Sequence, residues 1–119
     1  MKENIIKDKS FRFAVRMVNL YKFLKDEKKE HEMSKQLYRA GTSIGANVHE
    51  ALRAVSKKDF INKMGIALKE ASESEYWLEL LYATQHLDKT QYESIIADCS
   101  EINKLLISIV KNSNEEKKE

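Results

Sequence analysis

The sequence predicts an all-α protein, an antiparallel up-down four-helix bundle with short loops. The chain contains no proline and only three glycines, so it lacks the turn residues on which hairpin-rich sheet folds depend. Its apolar residues also recur with a period of 3.6 over long stretches, which is typical of amphipathic helices. Because the chain has 119 residues, we expect one domain, spanning residues 1–119.

The first two helices are predicted over about residues 11–28 and 31–53. The apolar stripe of the first helix consists of Ala14, Met17, Val18, Tyr21 and Leu24. The inward stripe of the second helix consists of Leu37, Gly41, Ile44, Val48 and Leu52. Gly41 and Gly45 lie inside this helix, where each glycine costs about 1 kcal/mol relative to alanine. We therefore expect a neighbouring helix to pack closely against these two glycines.

The last two helices are predicted over about residues 57–86 and 91–111, and each opens with a capping box, at 56–59 and 90–93. Residues 112–119 are polar and are expected to form a frayed tail. Near its end, the fourth helix is apolar on more than one face, because Leu105, Ile107 and Val110 add to its stripe. A monomer would expose part of this surface, so burial against a second subunit is expected.

The net charge of +2 hides an uneven distribution. Residues 1–60 hold 14 Lys and Arg against 8 Asp and Glu, whereas residues 61–119 hold 7 against 11. A basic half is typical of a surface for nucleic acid or for an acidic partner. Alternatively, the two halves attract each other within one bundle or between subunits.

Seven cations are candidates for binding nucleic acid: Lys9, Arg12, Arg16, Arg39, Arg53, Lys57 and Lys58. Helical spacing places Lys9, Arg12 and Arg16 on a face roughly opposite the predicted core stripe. Lys57 and Lys58 would extend this face into a basic rim. Such a surface would hold phosphates by charge, without reading sequence, and its affinity would fall as salt rises. Substituting both Arg12 and Arg16 by alanine is expected to abolish binding without unfolding the protein.

A second set of polar residues shares one face of the second helix, with Arg39 and Arg53 at its ends: Ser43, Asn47 and Glu50. Semi-buried polar groups must find partners. One interpretation is a hydrogen-bonded network between helices or subunits, and the other is a binding surface. We expect Asn47→Ala or Glu50→Ala to weaken assembly or stability.

The sequence indicates no catalytic residue, cofactor, metal ligand or small-molecule substrate. No Glu-x-x-His motif precedes any of the three histidines, and the single cysteine, Cys99, lies on an apolar stripe where a core position is expected. No apolar run is long enough to span a membrane, and the N-terminus does not resemble a signal peptide. A lone cysteine favours the reducing cytoplasm. We therefore expect a cytoplasmic protein that is not an enzyme.

Residues 36–51 (QLYRAGTSIGANVHEA) resemble the core of the small four-helix-bundle proteins encoded in 23S rRNA intervening sequences, often called S23 ribosomal proteins. Residues 56–60 (SKKDF), 67–71 (ALKEA) and 75–78 (EYWL) continue the resemblance, which covers about residues 10–110. It implies an up-down bundle that assembles into a ring-like homopentamer.

A relative in this family, the accessory variability determinant of diversity-generating retroelements, binds nucleic acid and a reverse transcriptase through a basic surface. The resemblance therefore implies an oligomeric accessory protein whose partner is RNA, DNA or a reverse-transcriptase-like protein. The alternative is a protein-interaction scaffold that does not bind nucleic acid.

Overall fold

The structure is an elongated bundle of four α-helices. A computed structural model describes the backbone of residues 1–118 and the side chains of residues 1–115. The helices are α1 (Lys2–Asp26), α2 (Glu32–Ala51), α3 (Lys57–Ala83) and α4 (Lys89–Lys118), and residues 1–118 contain no strand. Each helix packs chiefly on its neighbours in the chain, and the α1–α4 seam is the least extensive contact. The predicted fold class is confirmed.

Helix α1 begins nine residues earlier than predicted, at Lys2. Its buried face starts at Ile6 and includes Ser10, Phe13, Met17, Leu20 and Leu24. The predicted stripe was wrong at Ala14, Val18 and Tyr21, which are only half-buried. A helix predicted to start at Phe11 leaves out the first two turns of α1, and the residues of those turns determine which face of the helix meets the core.

The helix ends have local causes in the sequence. Ser56 caps α3 by accepting the Asp59 N–H at 3.0 Å, as predicted. The capping box predicted at 90–93 was wrong, because Asp88 and Gln91 each accept the other's backbone N–H, at 2.7 and 3.0 Å. The tail predicted from residue 112 was also wrong as far as Lys118, because α4 continues without proline or glycine to end it. Glu119 lies outside the described residues.

The end of α4 packs more completely than its sequence indicates. Leu105 and Val110 are partly buried against the core, and Ser113 is buried. Among the apolar side chains described at this end of α4, only Ile107 is largely exposed, at 53%. The predicted excess of apolar surface on this helix therefore reduces to one side chain.

Gly41 and Gly45 bring α2 close to α1, which confirms the predicted role of these glycines. A Cβ atom on Gly41 would clash with Met17, and a Cβ on Gly45 would lie 3.2 Å from the carbonyl oxygen of Ser10. Gly65 in α3 differs from both, since no heavy atom beyond its chain neighbours and the adjacent α3 backbone lies within 4 Å of its Cβ position. The two glycines of α2 thus fix the α1–α2 contact, whereas Gly65 serves no packing within the chain.

Cys99 is a core residue, as predicted. Its side chain is fully buried, and its Sγ donates to the carbonyl oxygen of Ala71 at 3.5 Å. Burial first, and the nearby carboxylates second, raise the pKa of the thiol from 9.0 to about 12. The thiol is therefore held in its unreactive form near neutral pH.

We predict that Gly41→Ala lowers the free energy of unfolding by about 1–3 kcal/mol, because the added methyl overpacks the contact with Met17. Urea denaturation followed by circular dichroism measures the change. Gly65→Ala is the matched control and should not lower stability, because its methyl meets open space. A Gly41→Ala protein as stable as the parent would contradict the close approach of α1 and α2.

We predict that Cys99 does not react with a disulfide reagent such as DTNB at pH 8 in the folded protein. A thiol pKa near 12 leaves about a thousandfold less thiolate at that pH than an ordinary cysteine has. Reaction should become complete in urea, which serves as the control. Rapid labelling of the native protein would show that the thiol is accessible and is not a core group.

Candidate functional site

The predicted cations of α1 lie beside α4. Lys9 forms an ion pair with Glu101, and the Arg16 guanidinium donates to Asp98 Oδ2 at 2.7 Å. Arg12 pairs with Asp8 of its own helix at 3.0 Å. The prediction that these cations face away from the core was wrong for Lys9 and Arg16, because the true core stripe of α1 turns them toward the α1–α4 seam.

Arg39 of α2 lies across the groove between α2 and α3. Its guanidinium donates to Glu70 Oε2 at 2.8 Å and to Glu73, both in α3. The bond to Glu73, opposed by burial and reinforced by Glu70, raises the pKa of the guanidinium. This arginine therefore has two carboxylate partners within its own chain.

These contacts explain much of the uneven charge distribution. Cations from the basic half meet carboxylates of the acidic half at the α1–α4 seam and in the α2–α3 groove. The solvent-exposed pairs among them, at the α1–α4 seam, contribute about 0–1 kcal/mol each to stability. The interpretation that the two halves attract each other within one bundle is confirmed for Lys9, Arg16 and Arg39.

The network predicted on α2 is mostly local. Ser43 Oγ donates to the carbonyl of Arg39 at 2.6 Å, and Asn47 Nδ2 donates to the carbonyl of Ser43 at 2.8 Å. Both bonds stay within α2, because serine and asparagine in a helix bond readily to the carbonyl four residues earlier. Of Ser43, Asn47 and Glu50, only Glu50 reaches another helix, where it pairs with Lys63 of α3 at 3.3 Å.

Three predicted cations gather at one end of the bundle, which we call the basic end: Arg53, Lys57 and Lys58. Arg53 contacts His49 Nδ1 at 3.2 Å. Lys57 lines a surface depression of about 590 Å³ together with Lys2 and Glu3. In the described part of the chain, neither Arg53 nor Lys58 contacts a carboxylate. Helices α1 and α3 both begin here, and their dipoles favour anions at their N-termini.

Sequence reasoning missed an apolar surface on α1 and α2, which we call the outer α1–α2 face. Phe11 is 68% exposed and Val15 is 47% exposed. Phe11 also lines a groove of about 580 Å³ whose other apolar walls include Ala14, Gly45 and Ala46. Once Ile6, Phe13 and Leu20 are recognised as the core stripe, the spacing of Phe11 places it on the outside.

Two classes of site are not found in the described residues. No group of three or more His, Cys, Asp or Glu side chains is arranged to hold a metal ion. Among the described helices, none combines the length and apolar character that crossing a membrane requires.

The comparisons with known proteins agree with this fold. The family model for the 23S rRNA-intervening sequence protein matches residues 2–108. No curated protein matches the chain.

One similar solved structure is a protein with unknown function from the S23 ribosomal protein family of Bacteroides thetaiotaomicron VPI-5482. It is 66% identical to this chain, with a TM-score of 0.91, and the match covers 93% of this chain and 99% of that one. Neither description names a catalytic activity. On the family match over residues 2–108, the chain belongs to the 23S rRNA-intervening sequence protein family.

Proposed function

We propose that this chain is a non-enzymatic accessory protein of the cytoplasm that self-associates. It binds nucleic acid through its basic end, and RNA is the nucleic acid we propose. The observation that carries the proposal is the gathering of Arg53, Lys57 and Lys58 at the end where α1 and α3 begin. Four other predicted cations, Lys9, Arg12, Arg16 and Arg39, form ion pairs with carboxylates of the chain itself.

The basic end suits phosphate better than bases. Lysine and arginine side chains and helix N-termini hold phosphate oxygens by charge and hydrogen bonding, without sequence information. A few such contacts give weak binding in one copy. Self-association would present the basic end several times, and linked weak contacts reinforce one another. The resemblance to ring-like homopentamers supports this arrangement.

Self-association rests on the exposed apolar side chains. Soluble monomers rarely leave large apolar patches open to water, and the outer α1–α2 face combines Phe11 and Val15 with an apolar groove. Burying this face between copies would remove it from water. The exposed Ile107 contributes far less apolar surface than this face does.

The second candidate is a protein-interaction scaffold that does not bind nucleic acid, with a reverse-transcriptase-like protein among its possible partners. The observation that favours it is the neutralisation of Lys9, Arg12, Arg16 and Arg39 by carboxylates of the same chain. In this alternative, the apolar face alone carries the function.

We predict that the protein binds a labelled single-stranded RNA of about 20 nucleotides, and that affinity falls steeply between about 50 and 200 mM salt. Fluorescence anisotropy measures both. Arg53→Ala combined with Lys58→Ala should weaken binding and reduce the salt slope by about 1.4, because two contacts with single-strand phosphates are lost. Lys22→Ala combined with Lys69→Ala removes the same charge elsewhere and should bind like the parent.

The other outcomes decide between the candidates. If neither RNA nor DNA binds at about 50 mM salt, the scaffold is correct and nucleic-acid binding is not. If Arg12→Ala combined with Arg16→Ala abolishes binding while the basic-end variant binds normally, the contact surface lies on α1. Circular dichroism must show every variant folded.

We also predict that the unmodified protein sediments as an assembly larger than one chain, because the outer α1–α2 face is buried between copies. Sedimentation velocity over a range of concentrations measures the mass. A folded single chain at high concentration would contradict self-association, whatever the result with RNA.

A further inference from the structure

The surface depression at the basic end is bounded by three helices. Its volume is about 590 Å³, and it is lined by Lys2 and Glu3 of α1, by Phe60 of α3, and by Ile109 and Ser113 of α4. Residues from three helices therefore surround one small volume, which an open basic surface does not provide. We call this feature the end depression.

Ser113 brings to the end depression a hydroxyl group that the chain itself does not use. The residue is only 8% exposed, and in the described part of the chain its hydroxyl has no hydrogen-bond partner. The other buried serines, Ser10, Ser34 and Ser74, each donate to a backbone carbonyl three or four residues earlier. Because a buried hydroxyl without a bond is costly, the position of Ser113 indicates a partner from outside the chain.

The first turn of α1 offers further donors beside the same depression. Met1 makes no side-chain cap, and the Ile5 N–H donates to the Met1 carbonyl at 3.1 Å. The amides of residues 2–4 therefore have no cap, whereas Ser56 caps the first turn of α3. Uncapped amides at a helix N-terminus, together with the helix dipole, favour an anion that carries several acceptor oxygens.

The charged side chains of the end depression are two lysines, Lys2 and Lys57, and one glutamate, Glu3. Lys2 Nζ donates to Ser108 Oγ, and neither Lys2 nor Glu3 forms an ion pair with any described side chain. The ammonium group of Lys2 attracts an anion and the carboxylate of Glu3 opposes one. Removing Glu3 should therefore strengthen anion binding.

We infer that the end depression binds a phosphate monoester. Near neutral pH, a monoester carries close to two negative charges and three strong acceptor oxygens, whereas a phosphodiester within a nucleic-acid strand carries one charge. Donors on different sides of a depression suit the monoester: the amides of the first turn of α1, the Lys2 ammonium and the Ser113 hydroxyl. Phe60 and Ile109 supply an apolar wall for the organic part of the ligand.

This site goes beyond the RNA-binding surface proposed above. Arg53 and Lys58 hold the phosphodiesters of a strand from outside, whereas the end depression receives a terminal phosphate. Such a phosphate has two sources, a free mononucleotide or the 5′ end of an RNA strand. Either source can bind whether or not the RNA-binding surface exists.

Two pairs of probes test the inference on the unmodified protein. Isothermal titration calorimetry compares adenosine 5′-monophosphate with adenosine, which lacks the phosphate. Fluorescence anisotropy compares single-stranded RNA that ends in a 5′ phosphate with the same RNA ending in a 5′ hydroxyl. Binding of the monophosphate but not of adenosine supports a free nucleotide, and tighter binding of the phosphorylated strand supports an RNA end. If the phosphate changes neither measurement, the inference is overturned, and RNA binding through Arg53 and Lys58 still stands or falls by its own test.

Ser113→Ala tests the hydroxyl. The phosphate-dependent binding should weaken about tenfold, because a hydrogen bond to a charged group is lost. The melting temperature should not fall, because the hydroxyl has no partner within the described chain. Ser74→Ala is the matched control, since it removes another buried hydroxyl, one that donates to the carbonyl of Glu70, and it should bind like the parent. Unchanged binding by Ser113→Ala would overturn the inference.

Glu3→Gln tests the sign of the charge effect. This variant should bind the phosphate monoester several times more tightly than the parent, because a carboxylate that lines the depression is removed. Glu27→Gln removes the same charge at the other end of α1 and should change nothing at about 0.1 M salt, where charges more than about 10 Å apart are largely screened. Unchanged or weaker binding by Glu3→Gln would place the phosphate outside the end depression and overturn the inference.

Discussion

The close contact between α1 and α2 determines the surface of this protein. Two glycines of α2 face Met17 and the backbone of Ser10, so the two helices approach more closely than side chains would otherwise allow. This contact fixes the rotation of α1 about its axis. The same rotation directs Lys9 and Arg16 to the seam with α4 and leaves Phe11 and Val15 on the outside. The charged and apolar surfaces are therefore consequences of one packing arrangement.

The fold class and the role of these glycines could be predicted from the sequence, because both depend on local properties. A chain without proline and with long 3.6-residue periods can bury its apolar residues only as helices. The serine that caps α3 was predictable for the same reason, since Ser56 bonds to an amide three residues away. The α4 cap was misplaced by two residues, because Asp88-x-x-Gln91 and Thr90-x-x-Glu93 both fit the capping pattern, and the bonds that form are the local pair between Asp88 and Gln91.

The candidate site was less predictable, because its residues come together only through the arrangement of the helices. Arg39 was assigned to a binding surface from its type and position, but Glu70 and Glu73 lie more than thirty residues away and reach it only across the α2–α3 groove. Phe11 can be placed on the solvent-exposed face of α1 only when the core stripe is known to begin at Ile6. The grouping of three cations at one end could be predicted without tertiary information, because they are close in sequence: Arg53, Lys57 and Lys58.

The most direct measurement is the nuclear Overhauser effect between the side-chain protons of Met17 and the α-protons of Gly41 in the isotopically labelled protein. The glycine contact that orients α1 predicts strong cross-peaks between these groups, because the two residues touch. Absence of these cross-peaks, with Gly41 showing contacts only within α2 or to α3, would contradict it. In that case the residues assigned to the α1–α4 seam and to the outer α1–α2 face would both be wrong.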